Sequence, residues 1–164
     1  MTMQIDPADF RTAMARFPGA VTIVTARTGA ERRGITATAV CSVTAEPPSV
    51  LVCLNRRTGT CAAVAETGKF NVNLLAGDGG EVAMRFAGQG GVTGEDKFAA
   101  GNWAEDRRGL PLLRDSIVSL SCDVTESMEA GSHFVFIGEI TAIETGEGAP
   151  LIYEQSRFHR LTPL

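Results

Sequence analysis

Hydrophobic and polar positions alternate along most of the chain, and helical spacing is confined to short stretches. Asp6-Pro7 has the form of a helix start, Asp as N-cap and Pro at the first helical position. Phe10, Ala13, Met14 and Phe17 then recur at helical spacing until Pro18-Gly19 stops the helix. AVTIVTAR, residues 20–27, reads as a β-branched strand, and TGAERRG, 28–34, as its turn. The next stretch, RRGITATAVCS over 32–42, alternates like one strand but is lean. Ile35, Ala37, Ala39 and Cys41 share one face; Gly34, Thr36, Thr38 and Ser42 share the other, where Val40 alone adds bulk.

Glu46-Pro47-Pro48 ends that strand, because proline cannot donate to a ladder. SVLVCL, 49–54, is wholly apolar and predicts a strand buried on both faces. NRRTGT, 55–60, is a polar loop, and CAAVAETG, 61–68, a short helix closed by Gly68. KFNVNLL, 69–75, is a strand and GGEVAMRFAG, 79–88, a helix. Residues 88–116 predict a long irregular segment, which in a small domain is usually functional or an interface. Two long strands, 116–128 and 133–144, flank a hairpin-like link at Glu129–Ser132, and PLIYEQSRFHRL, 150–161, closes the chain. No repeat, low-complexity tract or linker interrupts the order, so residues 1–164 read as a single domain. Strands outnumber helices and several are joined by short turns. The expected fold is mainly β, an antiparallel barrel with peripheral helices, and no GxGxxG follows a strand.

At 44% hydrophobic and 21% charged residues, the composition is that of a soluble globular protein. No apolar run approaches ~20 residues, so no membrane span is expected. MTMQIDPADF lacks the basic and apolar regions of a signal peptide. The net charge of −4 argues against a general nucleic-acid partner. Thirteen arginines stand against two lysines. That bias suits phosphate or carboxylate binding, and a GC-rich genome accounts for it equally well. Cys41, Cys53, Cys61 and Cys122 form no CxxC pair and lie far from both histidines, so no metal site is expected. Cysteines in apolar runs fit a reducing cytoplasm better than a disulfide scaffold.

Few segments offer chemistry. NRRTGTC, 55–61, places Asn55, Arg56, Thr58 and Cys61 where a buried strand meets a helix start. Unpaired N–H groups, arginines and hydroxyls there would make a phosphate cradle; equally, the loop is solvated and Thr58 is its N-cap. His133 opens an apolar strand beside Gly131, either as a catalytic group or as a satisfied surface histidine. In RFAG, 85–88, Phe86 is most simply core, and SRFHRL, 156–161, a basic tail. GxSxG, HExxH and Walker A patterns are absent, so an enzyme built on this chain would rely on an organic cofactor.

The order of FRTAMARFPGAVTIVTA, GITATAVCSVTAEPPSVLVCLNRRTGT, FNVNLLA, GSHFVFIGEI and RFHRL resembles the flavin reductase family of two-component monooxygenases. The middle segment looks most like the reductase component of pyrimidine-degradation systems. The resemblance implies a split-barrel, FMN-binding fold and a cytoplasmic homodimer with FMN or FAD near the subunit interface. It also implies NADH or NADPH as hydride donor and a flavin-dependent monooxygenase as partner. Gly34, Ile35, Thr36, Ala37, Thr38 and Ala39 would line the isoalloxazine, with Pro18 and Gly19 close by. Asn55, Arg56, Thr58 and Cys61 would hold the phosphate end; Arg85, Phe86, Arg157 and Phe158 would border the site. The family's Gly-Asp-His nicotinamide signature reads Gly131-Ser132-His133 here, so His133 would position the nicotinamide while Ser132 brings no charge. The same resemblance leaves room for a corrinoid reductase or a non-catalytic flavin-binding protein.

Overall fold

Asp6 caps the first helix, α1 (Pro7–Met14), by accepting the Ala8 N–H at 2.6 Å. The structure, a computed structural model, describes residues 4–164, so the first three residues of the N-terminal stretch read as leaderless lie outside it. The apolar spacing of α1 does not build core. Phe10, Met14 and Phe17 are 58%, 45% and 68% exposed, and no residue of the helix is buried.

Strand β1 (Gly19–Ala20) leads into β2 (Thr22–Thr28), whose β-branched run is buried from Thr22 to Ala26. Gly29 turns the chain into β3 (Glu31–Ala37). The stretch expected as one strand is two: β4 (Val40–Ala45) follows after a corner at Thr38-Ala39. Both halves keep the period-2 pattern, so alternation could not reveal the bend. The corner is held by the Val40 N–H donating to the Thr38 carbonyl at 2.9 Å. Strand β5 (Pro48–Asn55) buries Val50, Val52 and Leu54 but leaves Leu51 and Cys53 half-exposed, so only one of its faces is core. Helix α2 (Gly59–Thr67) ends at Gly68, whose φ of 67° is the left-handed cap that glycine favours. Strand β6 (Lys69–Leu75) and helix α3 (Gly80–Phe86) follow as expected.

The segment from 88 to 116 is less irregular than its composition suggests. It holds two 3-10 turns, 89–91 and 94–99, and a hairpin of β7 (Trp103–Glu105) and β8 (Pro111–Leu113). Buried polar groups of the barrel anchor β8. The Thr25 hydroxyl and Asn71 amide donate to the Pro111 carbonyl, at 2.6 and 3.1 Å, and the Asn73 side chain accepts the Leu113 N–H at 3.0 Å. Strands β9 (Ser116–Ala130) and β10 (His133–Thr145) form the long hairpin, and Gly131 takes its turn at φ 58°. Strands β11 (Ile152–Glu154) and β12 (Arg157–His159) complete a small sheet with β1.

The main sheet has seven strands in the order β3-β2-β6-β9-β10-β5-β4, every pair antiparallel. Its two edge strands are consecutive in sequence, so the sheet curls into a barrel split between β3 and β4, with helices outside. One core cluster fills the barrel around Val24, Val52, Leu54, Phe70, Val72 and Phe136. A second, around Ile23, Leu75, Phe86, Phe98 and Leu113, packs the 88–116 segment and α3 against the outer face of the barrel. No helix among the described residues is long and apolar enough to cross a membrane, and none of their acidic, His or Cys groups cluster as a metal site.

Candidate functional site

The corner at Thr38-Ala39 decides where the barrel opens. The Cys53 N–H donates to the Ala39 carbonyl at 3.0 Å, which carries the β4–β5 ladder up to the corner. Away from the corner, the outer edge of β3 has no strand beside it and faces the start of α2 and residues 94–99. Three groups of side chains surround this open edge.

The first lies on the Thr36 side. A cavity of about 280 Å³ is lined by Val21, Thr36, Thr38, Met84, Tyr153 and Phe158. Thr38 is exposed, and a Cβ on Gly19 would stand 2.9 Å from its Cβ, so only glycine fits beside it. The Thr36 hydroxyl is already used, donating to the Ala83 carbonyl at 2.5 Å. Phe158 and Tyr153 pack with ring centroids 5.5 Å apart and give the cavity an aromatic wall. Arg157 sits on the same short strand, exposed. Ile35 and Ala37 point the other way, onto the barrel core.

The second group is the helix start. Thr58 is the N-cap: its hydroxyl donates to the Asn55 carbonyl at 2.8 Å and accepts the Cys61 N–H at 3.2 Å. The N–H groups of Gly59 and Thr60 have no partner among the described residues, as the first turn of a helix dictates. They open on a cavity of about 210 Å³ between β3, α2 and residues 93–97, which also exposes Arg33 and Lys97. Lys97 Nζ donates to the carbonyls of Gly34 at 3.2 Å and Phe86 at 3.0 Å, and burial lowers its pKa. Neither Arg33 nor Lys97 was marked by the sequence, since they lie 64 positions apart, in stretches that read as a turn and a loop. The available signal was that Lys97 is one of only two lysines in an arginine-rich chain.

The third group joins β5 to β10. His133 stands opposite Asn55 in the ladder, and Ser132 Oγ lies 2.9 Å from His133 Nδ1. The Arg56 N–H donates to the Ser132 carbonyl at 3.0 Å. Its guanidinium turns toward the hairpin, with Nη1 3.4 Å from the Gly131 carbonyl and 3.9 Å from the Glu129 carboxylate.

Two of the expected border and cradle residues are core instead. Phe86 is 0% exposed and packs edge-on to Phe98, with centroids 5.0 Å apart. Cys61 is buried in the barrel cluster, and only its N–H reaches the cap. Burial raises the pKa of Cys53 and Cys61 and pushes Cys122 up to about 12, so none of these three thiols is primed as a nucleophile. Arg85 is fixed as well, its Nε and Nη2 donating to the Asp96 carbonyl at 3.0 and 2.8 Å. What remains is an open strand edge with small side chains, an aromatic wall, unpaired N–H groups at a helix start and one positioned histidine. Such a surface has the shape and the donors to take a flat, phosphate-bearing molecule.

Known proteins resemble this chain in sequence and in fold. The chain is 40% identical over 163 residues to the 4-hydroxyphenylacetate 3-monooxygenase reductase component of Pseudomonas aeruginosa, covering 96% of this chain and 95% of that protein. It is 42% identical over 155 residues to the FMN reductase (NADH) RutF of Variovorax paradoxus, covering 94% and 85%. The solved structure of the flavin reductase PheA2 in its native state superposes with a TM-score of 0.87 at 32% identity, covering 97% of this chain and all of that one. Residues 14–162 match the flavin reductase like domain, and the chain belongs to that family.

Proposed function

We propose that this protein is an NAD(P)H:flavin oxidoreductase that supplies reduced FMN or FAD to a partner monooxygenase in the cytoplasm. The observation that carries this reading is the open outer edge of β3, which runs from Thr38 to the unpaired N–H groups at the start of α2. The residues there fit a flavin: small side chains for the ring, and a cationic, donor-lined cavity for a phosphate. A flavin held by these residues would supply the redox chemistry, as acceptor of the hydride that NADH or NADPH carries.

The chain's own task is to bind, orient and exclude water. Backbone groups and the free Thr38 hydroxyl hold the ring along β3, and N–H donors favour negative charge on the reduced ring. His133, oriented by Ser132, positions the nicotinamide. Such a transfer calls for close stacking in place of acid–base catalysis. The half-exposed Leu51, Cys53, Val135 and Ile137, with Met128 62% exposed, form the outer face of β5, β10 and β9. A second copy of the chain covering that apolar face makes the homodimer.

The test mixes purified protein, FMN or FAD, and NADH or NADPH, and follows the nicotinamide absorbance. Flavin-dependent loss is expected. No loss with either nucleotide, despite flavin binding, would leave a flavin-binding protein without reductase activity.

A further inference from the structure

Arg56 is the cation that the resemblance gives to the flavin phosphate, yet its side chain is committed to the long hairpin. Its guanidinium carbon lies 5.9 Å from the Phe134 ring centroid. Nη1 donates to the Gly131 carbonyl at 3.4 Å and stands 3.9 Å from the Glu129 carboxylate. The Arg56 N–H donates to the Ser132 carbonyl at 3.0 Å. One residue outside the hairpin thus supplies a donor to each carbonyl of the turn that joins β9 to β10.

That turn needs an outside hold. Residues 129–132 are exposed, and the β9–β10 ladder ends at the pair Ala130 and His133. Gly131, at φ 58°, lets the peptide that follows it rotate widely. The Gly131 carbonyl belongs to that peptide and the Ser132 carbonyl to the next. Fixing both fixes the backbone on either side of Ser132, and with it the direction of its Oγ. Ser132 Oγ in turn lies 2.9 Å from His133 Nδ1. Nε2, on the far side of the ring, has no partner among the described residues and is the atom left for a ligand. The pairing of His133 with Asn55 places the histidine backbone but not its ring. The contacts that run from guanidinium to turn to hydroxyl set where the imidazole points.

We infer that Arg56 is a positioning residue for the nicotinamide histidine: it holds the Gly131-Ser132 turn so that Ser132 presents the imidazole, and its charge serves the hairpin rather than the flavin phosphate. The inference rests on the reading of His133 given above. The Arg56 side chain is half-exposed and its contact with Glu129 is long, so the hold is worth one hydrogen bond rather than a buried ion pair.

The experiment measures steady-state kinetics at saturating flavin on the full chain, with NADH or NADPH, whichever the wild type uses. Arg56→Ala, Arg56→Lys, His133→Ala and the double variant Arg56→Ala/His133→Ala are compared. Arg56→Ala should raise KM for the nucleotide roughly 3- to 10-fold with kcat little changed. Arg56→Lys keeps a charged donor and should fall between Arg56→Ala and wild type. In the His133→Ala background the arginine change should add less than about 2-fold, because the ring it orients is gone. Fluorescence titration with FMN and with riboflavin, which lacks the phosphate, should give Arg56→Ala the wild-type ratio of affinities. An unchanged KM in Arg56→Ala overturns the inference, provided that His133→Ala raises KM. A full second increase in the double variant also overturns it, since the arginine would then meet the dinucleotide directly. An FMN preference lost in Arg56→Ala would return the arginine to the phosphate. Wild-type KM in His133→Ala removes the nicotinamide reading itself, and the inference with it.

Discussion

The ring of Phe86 lies against the Cα of Gly34, so close that a Cβ there would meet Phe86 Cδ1 at 2.8 Å. The lean face of β3 therefore has two causes. At Gly34 the missing volume is filled by the chain's own aromatic cluster of Phe86, Phe98 and Trp103. At Thr38, just past the end of the strand, it is open to solvent. Gly34→Ala should therefore destabilise by about 1–3 kcal/mol through overpacking, read from urea melts. Adding Phe86→Leu should recover part of that loss, whereas additive costs would show that the two positions do not compete for space.

Thr36 of β3 and Thr38 at the corner should separate stability from binding. Thr36→Val removes one of the two donors to the Ala83 carbonyl, which keeps the Ala87 N–H at 3.0 Å, and should cost about 1 kcal/mol. Thr38→Val should change stability by less than about 0.5 kcal/mol. It should instead weaken flavin roughly 2- to 10-fold, the worth of one hydrogen bond. Equal flavin affinity for Thr38→Val and wild type, measured by fluorescence titration, would take the ring away from this end of β3.

Alternation located the longer strands, because half-buried sheet faces write a period of two into the sequence, and it missed the short β7–β8 hairpin inside a segment that reads as irregular. It failed at Thr38-Ala39, where the bend preserves that period. The same limit applies to Phe86, whose neighbour Gly34 lies 52 positions away, and to Arg33, which sequence spacing places in a turn. Thr58 was legible as a cap because capping is local. The partner of Arg56 was not, since the hairpin that attracts it comes some 75 residues later.

His133 and Ser132 should divide binding from chemistry. If His133 positions the nicotinamide, His133→Ala raises KM for NADH or NADPH with flavin affinity unchanged. Ser132→Ala, which frees the imidazole from its 2.9 Å contact, should raise KM in the same direction but by less. Steady-state kinetics at saturating flavin decide it, and unchanged KM in His133→Ala would remove the assignment.

The outer face of β5, β10 and β9 should report on assembly. Met128 stands opposite Val135, which stands opposite Cys53, so one row of apolar side chains crosses three strands. Met128→Glu combined with Val135→Glu should halve the mass seen by light scattering without lowering strand content. An unchanged dimer would place the subunit contact elsewhere, and a monomeric wild type would remove it.

Asp106 should govern acid stability. Its carboxylate accepts the N–H groups of Arg108 at 2.8 Å and Leu110 at 2.9 Å and pairs with the Arg108 guanidinium at 2.9 Å. Arg108 in turn reaches the Cys122 carbonyl at 2.9 Å and Asn71 at 2.6 Å, tying β6 and β9 to the turn before β8. Burial alone would raise the Asp106 pKa, but these donors and the arginine charge reverse it, and the folded value lies below the ordinary one. A depressed carboxylate stabilises above the unfolded pKa, about 3.9, and that contribution fades as pH falls through the folded value. Asp106→Asn should therefore lose about 1–2 kcal/mol near neutral pH, because it removes one of the two carboxylates paired with Arg108 and leaves the other, Asp123, at 2.8 Å. Urea melts from pH 7 down to pH 3 should show wild type and variant converging at the acid end. A gap that stays constant over that range would mean that hydrogen-bond geometry, not ionisation, is what Asp106 contributes.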